Sequence, residues 1–221
     1  MTGPVLCWSA ALPAVEEREM LRYAGQRKAD ETVLALARDA RQEGERVLRP
    51  AVCWRETTLR VEGETVDLGF AAVHSARLAH ALRGCEQAVV FAATVGLALD
   101  RLIARYGRLQ PARGLMLQAL GAERVEALCD AFCDHLAREY APSGRYPRRR
   151  FSPGYGDLPL QAQRELFAFL DCQRRIGLYL NESLLMSPTK SVTAIVGLGS
   201  EPDCRAAGCE SCGKTDCAMR K

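Results

Sequence analysis

The chain has 221 residues, 48% of them hydrophobic and 26% charged, which is enough for one sizeable core or for a domain with an appendage. A formal net charge of +3 argues for neither a nucleic-acid nor a membrane-surface partner. No apolar run approaches the roughly 20 residues of a bilayer span. The opening "MTGPVLCWSAALPAV" is apolar but has no Lys or Arg to make a signal-peptide n-region, so it reads as a mature N-terminus. Without a secretion signal the expected setting is the reducing cytosol.

In chain order, "AVEEREMLRYAG" predicts a helix after Pro13 that stops at Gly25. Asp30 is the expected N-cap of "ETVLALARDARQEG", with Val33, Leu36, Ala37 and Ala40 at helical spacing and Gly44 as its end. "RVLRPAVCW" and "TLRVEGETVDL" read as short strands around a turn at Glu62-Gly63-Glu64, and Pro50 suggests a sheet edge. "FAAVHSARLAHALRGC" is expected to be a helix closing at Gly84. "QAVVFAATVG" is a buried strand and "LALDRLIARYG" the helix after it.

The longest helix is "ARGLMLQALGAERVEALCDAFCDHLAREYA", with an apolar stripe of Leu117, Leu120, Val125, Leu128, Phe132 and Leu136. Asp130 lies on roughly the opposite side from the Leu128–Phe132 ridge, which suits either a solvated face or a cleft. After a Pro/Gly/Arg segment comes the helix "QAQRELFAFLDC", then the strands "IGLYL" and "SVTAIVGL". Helices and strands without regular βαβ alternation predict an α+β fold, mainly antiparallel sheet with flanking helices, over residues 1–200.

Six of the ten cysteines (Cys7, Cys53, Cys85, Cys129, Cys133 and Cys172) are scattered at no framework-like spacing and are expected to be core or semi-core thiols. Cys204, Cys209, Cys212 and Cys217 are different. They crowd the polar segment 201–221 with gaps of four, two and four residues. Four thiolates at such spacing suit an iron–sulfur cluster or zinc, and the plain alternative is a tail of free thiols.

Two segments carry chemistry. In "RYPRRRFSPGYGDLP", the guanidinium of Arg150 precedes a tight turn. A planar guanidinium clamps a carboxylate through two bonds, Gly154 permits a close approach by a ligand, and Tyr155 offers a ring face and a hydroxyl. The arginine run also reads as a solvated basic loop, or as a nucleic-acid patch that no recognised nucleic-acid motif supports. In "LYLNESLLMSP", Glu182 and Ser183 follow an apolar strand, where a carboxylate is more often a solvated terminus than a ligand group.

Together, "RRRFSPGYGDLP", the helix "LFAFLD" and "IGLYLNESLLMSPTKSV" resemble the activation domain of cobalamin-dependent methionine synthase, most clearly over residues 115–196. The resemblance implies an S-adenosylmethionine site in a protein that supports remethylation of an oxidised cobalamin. It implies that Arg150 holds the methionine carboxylate, that Asp130 attracts the amine, and that Tyr155 lies near the methyl group and the corrin. Gly154 would line the ligand, while Glu182 and Ser183 would shape the site. The family's Pro-Ala-Cys-Pro after the tyrosine is here Gly-Asp-Leu-Pro, and its aromatic C-terminal segment is replaced by the cysteine tail.

The chain is too short for the other methionine synthase modules, so its cobalamin is expected on a partner methyltransferase. A flavodoxin- or ferredoxin-type protein is the expected electron donor. An iron–sulfur cluster in the tail would suit that low-potential electron, whereas zinc could not carry it. The competing function is a metal-binding module that docks a corrinoid protein without methylating it.

Overall fold

The computed structural model describes residues 3–9, 11–26 and 28–201, so the tail cysteines Cys204, Cys209, Cys212 and Cys217 lie outside the described residues. The first half of the chain contains β1 (Leu6–Trp8), α1 (Glu17–Tyr23), α2 (Glu31–Val47), β2 (Ala51–Thr58), β3 (Arg60–Glu62), β4 (Thr65–Asp67), β5 (Ala72–His74) and α3 (Ala76–Ala81). The second half contains β6 (Cys85–Thr94), α4 (Leu97–Leu109), α5 (Pro111–Tyr140), β7 (Tyr146–Pro147), α6 (Gln163–Leu170), α7 (Cys172–Ile176), β8 (Tyr179–Leu180), β9 (Met186–Ser187) and β10 (Ser191–Gly199).

The main sheet has the order β1-β2-β6-β10-β7, and every pairing in it is antiparallel. Strands β3, β4 and β5 form a small second sheet, and β8 pairs with β9. The expected α+β fold is the observed one.

The main sheet is buried on both faces, which explains why β6 and β10 read as almost unbroken apolar runs. Val89, Phe91 and Ala93 of β6 face α5, where they join Leu117, Leu120, Leu128, Phe132 and Leu136. The alternate residues Ala88, Val90 and Ala92 face the other way, against Leu78 of α3 and Leu166 and Leu170 of α6. Two-residue alternation assigns the faces, and burial of both removes the polar half of the usual antiparallel pattern. Phe132 is the centre of an aromatic group with Trp8, Trp54 and Phe91.

Several local expectations hold. Asp30 caps α2 by accepting the Val33 amide at 2.9 Å, and α1 stops just before Gly25. Four others are corrected. Gly44 does not end α2; it is buried inside the helix, where a Cβ would overlap the Leu120 side chain and come within 3.1 Å of Leu117 Cδ2. It is a close-contact glycine between α2 and α5. Pro50 precedes β2, which is an interior strand between β1 and β6, so it marks a strand start and not an edge. The stretch expected to be one helix from Phe70 splits into β5 and the short α3, because the Ser75 hydroxyl accepts the Leu78 amide and starts the helix there. Cys7 is exposed on edge strand β1, whereas Cys53, Cys85, Cys129 and Cys172 are buried as expected and Cys133 is half-buried.

Candidate functional site

The chain after α5 runs back along β10 and is held there at two points. The Arg148 amide donates to the Gly197 carbonyl at 2.7 Å, and Phe151 exchanges both backbone hydrogen bonds with Ile195, at 2.9 and 2.8 Å. Arg150 lies between these anchors, and α5 runs alongside. Its guanidinium donates through Nη1 to Asp130 and through Nη2 to Glu126. The two acids are four residues apart on α5 and therefore share one side of the helix, away from its apolar stripe.

Burial would favour loss of the Arg150 proton, but the two carboxylates more than offset it and hold the cation charged. Burial also pushes the thiols of Cys129 and Cys133 up, against an opposing pull from Arg150, so both remain protonated at neutral pH. Neither thiol is an activated nucleophile.

These groups line a cleft of about 1970 Å³ whose walls include Trp8, Tyr23, Glu126, Asp130, Arg150 and Tyr155. The N-terminal segment also lines it, through Leu12, Pro13, Ala14 and Glu16. It is fastened to α5 by the ion pair of Glu123 and Arg124, which is almost fully buried. Arg124 also donates to the carbonyls of Pro13 at 2.6 Å and Ala14 at 3.3 Å, and Glu123 accepts the Glu16 amide at 3.2 Å.

Tyr155 sits at the mouth of the cleft, 69% exposed. Its turn closes on itself, with the Gly154 amide on the Leu158 carbonyl at 2.9 Å and the Tyr155 amide on the Ser152 carbonyl at 3.1 Å. Gly154 has φ +87°, a conformation that disfavours any side chain. With its amide already used, Gly154 shapes the turn and has no N–H left to offer a ligand. Asp157, at the departure from the family's Pro-Ala-Cys-Pro, binds the Ser75 hydroxyl and the Arg77 amide, at 3.3 Å, and so ties this turn to the start of α3. The Ser75 hydroxyl, followed by the backbone amides, holds the Asp157 carboxyl below its ordinary range.

The structure thus brings Asp130, Arg150 and Tyr155 to one cleft. Glu182 and Ser183 do not line it. They are exposed at the tip of the β8–β9 hairpin, where the Glu182 carbonyl accepts Arg164 at 3.0 Å, although Met186 of the same hairpin does reach the cleft wall. Sequence reasoning missed Glu126. Its signal was available in the four-residue spacing to Asp130, but the partner that makes this spacing matter is Arg150, twenty or more positions away. The Glu123–Arg124 pair carried no signal, since adjacent charges on a helix ordinarily face water.

Among the described residues, no group of three His, Cys, Asp or Glu side chains could hold a metal ion, and no helix is long and apolar enough to cross a membrane.

The fold is similar to that in the crystal structure of the MetH reactivation domain bound to AdoHcy, with a TM-score of 0.64 and 16% identity over 90% of this chain and 79% of that one. No curated protein matches the chain. The family model of the vitamin B12-dependent methionine synthase activation domain matches residues 75–219, which include α5, the Arg150–Tyr155 turn and β10. By that match, which covers well over half of its length, the chain belongs to the family of vitamin B12-dependent methionine synthase activation domains.

Proposed function

We propose that the chain binds S-adenosylmethionine in this cleft and supports reductive methylation of a cobalamin carried by a methionine synthase module or a related corrinoid methyltransferase. The observation that carries this reading is the constellation of Arg150, Asp130 and Tyr155 on one cleft wall in a member of this family. A guanidinium fork suits the ligand's carboxylate and Asp130 its ammonium, while the Tyr155 ring at the mouth suits the sulfonium end. Gly154 sets the turn that presents Tyr155. S-adenosylmethionine would supply the methyl group, and the partner's cobalamin would accept it.

The cleft is larger than the roughly 300–1,000 Å³ that a small ligand needs, which leaves room for a bulky second group at its mouth. Tyr155 leaves an apolar ring face there, 69% exposed. The low-potential electron would come from a flavodoxin- or ferredoxin-type donor through a cluster held by Cys204, Cys209, Cys212 and Cys217, with zinc as the competing occupant.

The test is reactivation in trans. A corrinoid methyltransferase inactivated by oxidation, given reductant and S-adenosylmethionine, should regain the methylcobalamin absorption spectrum only when this protein is added. Equal recovery without it rules the role out. The tail is tested separately. Anaerobically isolated protein should be brown and contain iron and acid-labile sulfide, and Cys212→Ser should abolish the colour without changing the melting temperature. Stoichiometric zinc, with no iron uptake on reconstitution, would make the tail a structural clip.

A further inference from the structure

We infer that Glu126 occupies on Arg150 the place of the ligand's carboxylate, and that it thereby sets how tightly the site holds carboxylate-bearing adenosyl ligands. The inference rests on the proposed ligand and goes beyond it to a residue that competes with that ligand. A carboxylate grips a guanidinium best along an edge, through two parallel N–H bonds. In this structure the two terminal nitrogens are divided, Nη1 going to Asp130 and Nη2 to Glu126. An incoming carboxylate that takes both meets an acid already on each nitrogen and competes with the two for the same cation.

The two acids are not equivalent. Asp130 is short, and 63% of its side chain is exposed toward the cleft, where it suits an ammonium. Glu126 is 41% exposed and has an additional torsion, so it can withdraw from Arg150 without any movement of α5. Tyr23 of α1, which also lines the cleft, is close enough to sense the Glu126 charge. Burial is the main cause that raises its hydroxyl pKa, and Glu126 is the second.

The charges support the exchange. At this point of the cleft wall one cation faces two carboxylates, a local surplus of negative charge in a lining that elsewhere carries further arginines, and the two acids repel each other across one helical turn. A zwitterionic amino-acid moiety corrects both faults, its carboxylate replacing Glu126 on Arg150 and its ammonium pairing with Asp130. The ligand therefore gains one Arg–carboxylate pair while the protein loses another. Most of the affinity expected from a guanidinium clamp is cancelled for as long as Glu126 competes.

The experiment is calorimetric titration of the full chain and its Glu126→Gln variant with S-adenosylhomocysteine and with 5′-methylthioadenosine, which has the same nucleoside but no carboxylate. Glutamine keeps the shape and removes the charge, so the variant should bind S-adenosylhomocysteine about tenfold more tightly. Its affinity for 5′-methylthioadenosine should be unchanged. Glu126→Ala should behave in the same way and keeps the test open if the glutamine variant folds poorly. Unchanged or weaker binding of S-adenosylhomocysteine overturns the inference while leaving the ligand reading intact. Parallel tightening of both ligands overturns it as well, since Glu126 would then act on the cleft at large. If the unmodified chain binds neither compound, the ligand reading itself fails and this inference falls with it.

Discussion

Arg124→Leu should lower the melting temperature by about 10 °C. Arg124 and Glu123 are 2% and 6% exposed, and their ion pair lies between α5 and the N-terminal segment. Removing one partner of a buried pair leaves an uncompensated charge and costs about 3–5 kcal/mol. In a chain of this size each kcal/mol shifts the melting temperature by about 2–4 °C. The carbonyls of Pro13 and Ala14, which accept from Arg124, would lose their donor at the same time. The double variant Glu123→Leu with Arg124→Leu should recover part of the loss, because it removes the orphaned charge while still forfeiting those two hydrogen bonds. Thermal melts of the three proteins decide the matter. A single variant that melts within about 2 °C of the parent would mean that water reaches Glu123, and that the pair does not fasten the cleft wall.

Arg150→Lys should weaken the binding of S-adenosylmethionine by about 1–3 kcal/mol, read by calorimetry as roughly tenfold or more. Lysine keeps the charge but presents a point donor in place of a fork, so it cannot hold a carboxylate by two parallel bonds. It would also be an imperfect bridge between Glu126 and Asp130, which the guanidinium spans with separate nitrogens. Wild-type affinity in this variant would remove Arg150 from the carboxylate's position and leave it a structural brace between β10 and α5. In that case the brace should show as a lowered melting temperature without any change in binding.

These two experiments probe different parts of the cleft lining, and the two parts were not equally legible in the sequence. The wall carried by α5 was readable because a helical period separates Asp130 from the stripe that ends in Leu128, Phe132 and Leu136, and because the Arg-x-x-x-Gly-Tyr turn follows at a recognisable distance. The anchoring of the N-terminal segment onto α5 was not. The Glu123–Arg124 pair looks like a solvated pair of charges until Pro13, Ala14 and Glu16 cover it. The Gly-Asp-Leu-Pro departure likewise looked like a loss of pattern. In the folded protein Asp157 uses it to tie the tyrosine turn to Ser75, a contact across 82 positions.

By itself the sequence determined several elements and the side of them that is apolar: the capped start of α2, the stripe of α5, the strands β6 and β10, and the turn that presents Tyr155. Those are properties of neighbours three or four residues apart, and local backbone geometry enforces them. Only the tertiary structure decided what each face meets. It placed Gly44 against Leu117 and Leu120 instead of at a helix end, put β2 in the sheet interior despite Pro50, and divided Arg150 between Glu126 and Asp130. The physical reason is that periodicity records the side of an element a residue occupies, whereas the partner on that side is chosen by packing among segments far apart in the chain.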